Sequence, residues 1–451
     1  MSLIARLPRP VPGPAALWRF PAASRGTLGS GLRVIRHDLP GQQLAAAVLV
    51  LNVAPEAEPA SAEGIATIMA RTLDEGTEVR DGTAVAAEMD RHGASYGVSV
   101  DSSGAYLTMD APARFFGSAL ALLAEVVTRP AFPVSEIERH VQLRLGEIAQ
   151  RRAVAASRAR MERLAVCITE DSRYSRPVGG TAGTVRTLDR DAVEGFYRDL
   201  VGPAGATLVL AGDFRGTDIE TATAEAFGTW TAATAPAAAG EQPTAAEPHS
   251  VIADRPGAVQ SQLAFGMVGP DQRAPDWADL VVAARVLGGG VSSRLSATLR
   301  EDKGYTYHIY ADFDPFRRGG LFTIDTAVQT DATAAATAEV LAVTERFRAQ
   351  GPTAAECAEA VDYLTGIYPL WHQTAQEVAW STAAQVGHDL GPSYLDDLLD
   401  ALRMVTPDSA GAAFRAHVEP ARLALAVAGD ATAITSALSR TISHEITVVP
   451  A

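Results

Sequence analysis

Residues 203–213 read PAGATLVLAGD and residues 420–430 read PARLALAVAGD, each with a proline ten residues before an aspartate that closes an apolar, strand-like run. The offset is 217 residues (420 − 203). Leu107-Thr108-Met109-Asp110 and Phe322-Thr323-Ile324-Asp325, each ahead of an Ala-rich helical run, repeat it at 215. Two matches at nearly one offset identify a duplicated unit. The first unit reads as strands near 26–36 and 44–53, helices near 61–74 and 81–92, strands near 94–110, and a long helical run from 113. The second reads as a strand near 258–268, helices near 275–288 and 292–301, and strands near 305–327. Paired strands followed by long helices predict an α+β fold: two duplicated halves, each a largely antiparallel sheet covered by helices. Residues 231–250, TAATAPAAAGEQPTAAEPHS, hold no apolar periodicity and read as an interdomain linker. The expected division is an N-terminal extension over 1–24, one domain over 25–230, the linker, and a second domain over 251–451.

The 451 residues suffice for two domains, each large enough to bury its own core. With 38 basic and 53 acidic residues the net charge is 38 − 53 = −15, which opposes attraction to nucleic acid or anionic lipid. Hydrophobic residues at 47% and charged residues at 20% exclude a wholly disordered chain. Two cysteines, Cys167 and Cys357, make neither a disulfide framework nor a thiolate zinc cage, and read as small buried side chains in a reducing compartment. The segment MSLIARLPRPVPGPAALWRFP has four prolines before Phe20 and no continuous apolar core, so it fails as a signal peptide. No stretch offers eighteen uninterrupted strongly apolar residues. The expectation is a soluble cytoplasmic protein that binds neither nucleic acid nor membrane.

Glu63 to Thr77 read EGIATIMARTLDEGT. Ile65, Ile68, Met69 and Thr72 fall at helical spacing and form a buried stripe, while Thr67, Ala70 and Arg71 share another face. With the duplicated halves, this stretch resembles the pitrilysin/insulinase family of zinc peptidases, in its mitochondrial-processing-peptidase-like branch of short two-domain chains. That family reads G-x-A-H-x-x-E-H-x-x-x-x-G-T here, an inverted zinc-binding helix. Gly64, Ala66, Gly76 and Thr77 keep the frame, but the histidine, glutamate and histidine positions are Thr67, Ala70 and Arg71. Threonine and a permanently charged arginine do not replace imidazole ligands, and alanine offers no general base. Glu147, 76 positions after Arg71, falls near the family's distal glutamate ligand. A single carboxylate does not hold catalytic zinc, and no two of the nine histidines stand three or four residues apart. The resemblance therefore implies no metal and no cofactor in this chain. An Arg71–Glu147 ion pair, with a hydroxyl bond from Thr67, is expected where the metal would lie.

Residues 287–313, LGGGVSSRLSATLREDKGYTYHIYADF, resemble the same family's signature for the second half: a glycine stretch, S-S-R-L, then R-E-x-x-G-x-x-Y. The resemblance carries substrate binding onto Arg294 and Tyr307, with Gly288, Gly289 and Gly290 beside them. In some paired enzymes of the family this arginine and tyrosine come from the chain without zinc. An arginine can hold a substrate carbonyl or carboxylate, and a tyrosine hydroxyl can donate to a developing oxyanion. The plainer reading pairs Arg294 with an acidic neighbour, packs Tyr307 in a strand, and uses the glycines to end a helix. Of the weaker candidates, His308 and His372 read as structural, and Tyr368, Trp371 and Trp380 as core. Arg151, Arg152, Arg158 and Arg160 read as a solvated helix face.

These readings converge on the non-catalytic, substrate-binding subunit of a heteromeric zinc metalloendopeptidase. Its partner is expected to be an H-x-x-E-H zinc peptidase chain of the same fold, which carries the zinc, and its substrate a peptide or small unfolded polypeptide. The alternatives are a peptide-binding chaperone and a structural subunit with no role in catalysis.

Overall fold

The computed structural model describes residues 13, 17–231 and 240–450, so most of the expected N-terminal extension and the centre of the expected linker lie outside the described residues. The first half contributes β1 (Ser24–Thr27), β2 (Arg33–Asp38), β3 (Leu44–Leu51), β4 (Ser95–Val100), β5 (Ala105–Pro112) and β6 (Ala206–Gly212) to a six-stranded sheet of order β1-β2-β6-β3-β5-β4. The second contributes β7 (Ser250–Asp254), β8 (Gln260–Gly269), β9 (Ile309–Pro315), β10 (Gly320–Gln329), β11 (Ala424–Gly429) and β12 (Ile446–Val449), ordered β12-β7-β11-β8-β10-β9. Five strands superimpose in order and direction: β2 runs parallel to β6 as β7 does to β11, and the inner strands are antiparallel in both. Only the outer strand differs, β1 lying antiparallel to β2 and β12 parallel to β7.

The repeated aspartates have one physical job. The Asp213 carboxylate accepts the Gly41 N–H at 2.8 Å, and the Asp430 carboxylate accepts the Gly257 N–H at 2.7 Å. Both glycines turn the chain after the first strand of the equivalent set at positive φ, +93° and +75°, where a side chain would be strained. The duplication is thus written in a strand-closing contact as well as in apolar pattern.

One face of each sheet packs on helices of its own half. In the first core Leu49, opposite Leu107 and Leu208, meets Ile68, Leu120 and Leu123. In the second, Phe265, opposite Ile324 and Leu425, meets Leu280, Leu287 and Phe347. Each half thus buries a core of its own, and the other face of each sheet adds a contact between the halves. The first-half helix Ala155–Cys167 lies on the second sheet, its Ala159, Val166 and Cys167 against Val251, Ala253, Ala426 and Ala428. Reciprocally, the second-half helix Ala375–Gly387 lies on the first sheet, its Val378, Ala379 and Ala383 against Val48, Val50 and Val209. The halves exchange one helix each, so both faces of β3 and β6 are apolar.

Several local expectations change. The helix expected near 292–301 is a wide π-helical stretch, Ser296–Asp302. Trp371 and Trp380 are exposed, Trp380 meeting Tyr106 at a tilt with 5.1 Å between ring centres. Of the basic run, Arg151, Arg152 and Arg160 are exposed as expected, while Arg158 is buried and bonds Glu162 and the Pro450 carbonyl, because its side of the helix Ala155–Cys167 is turned toward the other half. His372 is held by the Tyr368 carbonyl and the Ser381 hydroxyl, a structural role as expected. Both cysteines are buried, and burial pushes the Cys167 thiol up to about 12. Among the described residues no helix is long and apolar enough to cross a membrane.

Candidate functional site

The helix Ile65–Thr72 begins at Gly64, whose φ is +95° and whose missing Cβ would lie 2.7 Å from the Gly179 carbonyl oxygen. The first-turn N–H groups of Gly64 and Ala66 donate to the Glu58 carboxylate at 3.0 Å each, satisfying donors that a helix start leaves orphaned. Arg173 donates to the same carboxylate at 2.8 Å, and Arg176 grips buried Glu63 through Nε (2.9 Å) and Nη2 (2.7 Å). Burial is the larger influence on Glu58 and pushes its carboxyl up, against the pull of Arg173. Sequence reasoning missed this clamp, whose members stand 115 and 113 residues apart.

At the three vacated ligand positions, Thr67 and Ala70 are buried, and Arg71 projects toward the helix Val134–Ala153. Arg71 Nη1 donates to Glu147 Oε1 at 2.7 Å, the ion pair expected from the sequence. Arg144, one helical turn before Glu147, donates to Oε2 at 2.9 Å and to the Gly179 carbonyl through Nε at 2.9 Å. No hydrogen bond ties the Thr67 hydroxyl to this cluster among the described residues, so that part of the expectation does not hold. Burial pushes the Glu147 carboxyl up, but the bonds from Arg71 and then Arg144 outweigh it and hold the group below the usual carboxylate range. Two guanidinium charges face one carboxylate, a local excess of positive charge that repels a metal dication. Zinc does not fit these residues: Thr67, Ala70 and Arg71 supply no imidazole, and Glu147 is bidentately occupied. Among the described residues no three His, Cys, Asp or Glu side chains converge to hold a metal.

In the second half, Gly288 ends the helix Trp277–Leu287, and a Cβ there would lie 2.4 Å from the Ala311 Cβ on β9. Gly289 and Gly290 leave room for Arg285, whose guanidinium stacks on Tyr363 at 3.6 Å from the ring centre. The three glycines thus have a packing reason of their own. Arg294 forks onto Glu356, Nε to Oε1 at 2.8 Å and Nη2 to Oε2 at 2.7 Å, and reaches the Gly351 carbonyl at 2.9 Å. These bonds pull the Glu356 carboxyl down to about 2. Glu356 also closes a capping box with Thr353 at the start of the helix Ala354–Trp371, so Arg294 fastens that helix start. Tyr307 does not pack in a strand: it is 81% exposed, and the Arg300 guanidinium lies over its ring at 5.0 Å. The structure therefore brings Tyr307 together with Arg300 and places Arg294 in a separate pair. His308 is exposed beside them.

Two domain models of one peptidase family match the chain: Insulinase (Peptidase family M16) over residues 33–181 and Peptidase M16 inactive domain over residues 187–364. A protein of Mycobacterium tuberculosis named an uncharacterized zinc protease is 26% identical over 354 residues, 76% of this chain and 79% of that protein. The crystal structure of a peptidase M16 inactive domain from Pseudomonas fluorescens matches with a TM-score of 0.83 at 23% identity, over 90% of this chain and 98% of that one. A chain of Complex III2 from Candida albicans matches with a TM-score of 0.77 at 13% identity, over 94% and 100%. At these identities the solved structures establish a shared fold. With both domain models in order along the duplicated halves, the chain belongs to the M16 peptidase family, as a member whose H-x-x-E-H positions read Thr67, Ala70 and Arg71.

Proposed function

We propose that this chain is the non-catalytic, peptide-binding subunit of a cytoplasmic two-chain metallopeptidase whose other chain, of the same fold, carries the H-x-x-E-H helix and the zinc. The observation that carries the reading is the 2.7 Å Arg71–Glu147 pair, which fills the metal position from within the chain while the R-E-x-x-G-x-x-Y segment stays intact and outward-facing. An exposed phenol costs nothing to leave unbonded, yet its hydroxyl is free to donate to a substrate carbonyl, and the neighbouring guanidinium supports negative charge there. In this scheme Tyr307 and Arg300 contact the peptide of the partner's site. Arg294 contributes by fixing the loop through Glu356, and binds a peptide carboxylate only by giving up that partner.

The test is reconstitution with an H-x-x-E-H chain encoded by the same organism, followed by cleavage of unfolded peptides. Tyr307→Phe keeps the ring over Arg300 and removes the donor. The expected result is unchanged assembly with turnover lowered about a hundredfold, the usual cost of an oxyanion-type donor. Arg294→Ala is expected to lower turnover while raising mobility of the 287–313 segment. Unchanged kinetics in both variants would remove the role and leave a peptide-binding or structural subunit.

A further inference from the structure

The alternation of strands places a second set of polar groups where the sheet should be apolar. On the face of the first sheet covered by Ala375–Gly387, the register puts Ile35, Val209 and Val48 in one apolar row that ends at Arg25 on the edge strand β1. The next row on the same face reads Thr27, Arg33, Thr207 and Val50, and Arg25 stands two residues before Thr27 on that face too. The helix packs on Val50 at one end of this row and ends at Gly387, leaving a gap beside Thr207 and Arg33 whose far side is lined by Asp389, Leu390, Gly391 and Pro392. The result is a cavity of about 540 Å³ between the halves, walled by Val50 and Leu390 and lined by Arg25, Arg33, Thr207 and Arg317.

Two buried polar groups of its lining are unsatisfied. Thr207 is 1% exposed and its hydroxyl has no hydrogen-bond partner. Arg317, 8% exposed, bonds the Asn52 side-chain oxygen through Nη1 but leaves Nε without a partner. Buried polar groups are normally paired, so two orphans lining one cavity point to a missing acceptor. On the opposite face of β2, Arg36 pairs with Asp38 and Glu220, whereas neither Arg25 nor Arg33 forms an ion pair among the described residues. The one acid in the lining, Asp389, is taken by Arg318 at 2.8 Å. A chain of net charge −15 thus keeps three arginines around one half-enclosed space.

We infer that this cavity binds a small oxyanion, a phosphate or a carboxylate carried on a short apolar body, with Arg25, Arg33 and Arg317 as the charged contacts and the Thr207 hydroxyl as a neutral donor. The site joins the sheet of one half to a helix of the other, so its occupant would bridge the two halves.

Calorimetric titration of the full chain at low salt, with inorganic phosphate and separately with hexanoate, tests this. The expected result is saturable binding of at least one anion at one site per chain. Phosphate alone would assign a phosphate ligand, and hexanoate alone a carboxylate with an apolar tail. Arg33→Ala should weaken binding about tenfold or more, as loss of one charged hydrogen bond does. Thr207→Val, which keeps the shape, should weaken it while leaving the circular dichroism and melting of the chain intact. Arg215→Ala, which removes an exposed arginine paired to Asp213, should leave binding unchanged. No saturable heat with either anion into the millimolar range would overturn the inference. So would binding that Arg33→Ala and Thr207→Val both leave untouched.

Discussion

Replacing Arg71 by alanine removes the guanidinium that stands in the former metal position and leaves Glu147 to Arg144 alone. The Arg71 side chain is 32% exposed and that of Glu147 36% exposed, so solvent screens the pair and the large cost of orphaning a buried charge does not apply. An exposed pair contributes about 0.2–1 kcal/mol and a charge-assisted hydrogen bond about 1.5–3 kcal/mol; partial exposure and the remaining Arg144 contact place this one near 1 kcal/mol. Urea unfolding of the natural chain, Arg71→Ala, Glu147→Ala and the double variant isolates the coupling, which should be about 1 kcal/mol and shrink in molar salt. The sign with pH follows from Glu147, whose folded carboxyl is held below its ordinary value of 4.5. Between the folded and ordinary values the unfolded chain binds more protons, so this stabilisation is complete above the ordinary value and is lost as pH falls through the lower one. Arg71→Ala should therefore show a shallower acid loss than the natural chain. Coupling of about zero, or the same acid profile in both proteins, would refute the substitution of guanidinium for metal.

Glu58→Ala should cost about 2–4 kcal/mol, because it strips two helix-start N–H groups of their acceptor and leaves buried Arg173 with only the more distant Glu63 carboxylate at 3.7 Å. Adding Arg173→Met should recover part of that loss in the same unfolding assay. A protease site engineered into residues 231–250 and cut should leave the two halves co-eluting on gel filtration, because each sheet stays covered by the other half's helix. Residues 25–230 expressed alone should bind a hydrophobic dye, exposing the faces of Val48, Val50 and Val209 that Ala375–Gly387 covers.

The duplication was legible because strand, turn and closing aspartate are local, and each repeat carries its own contact from Asp213 to Gly41 or from Asp430 to Gly257. The Arg71–Glu147 pair was legible through spacing in a resembling family, and Arg144 could have been added from its position one turn before Glu147 on the same helix. An acidic partner for Arg294 was legible as a possibility, but not its identity, because Glu356 lies 62 residues on and nothing local in S-S-R-L signals it. The motif did contain the alternative: Arg300 precedes Tyr307 by seven residues and is the guanidinium that lies over its ring. The exchanged helices were not legible either. An Ala-rich helix such as Ala375–Gly387 shows that it has an apolar face, but which sheet accepts that face is settled by packing between elements hundreds of residues apart.

The central claim, that the metal position of this chain is filled by its own arginine and that catalysis lies elsewhere, is tested most directly by metal analysis of the dialysed chain joined to a peptide-cleavage assay. Substoichiometric zinc and no cleavage, with or without added zinc, are expected. One zinc per chain, or cleavage by the isolated chain that a chelator abolishes, would contradict it.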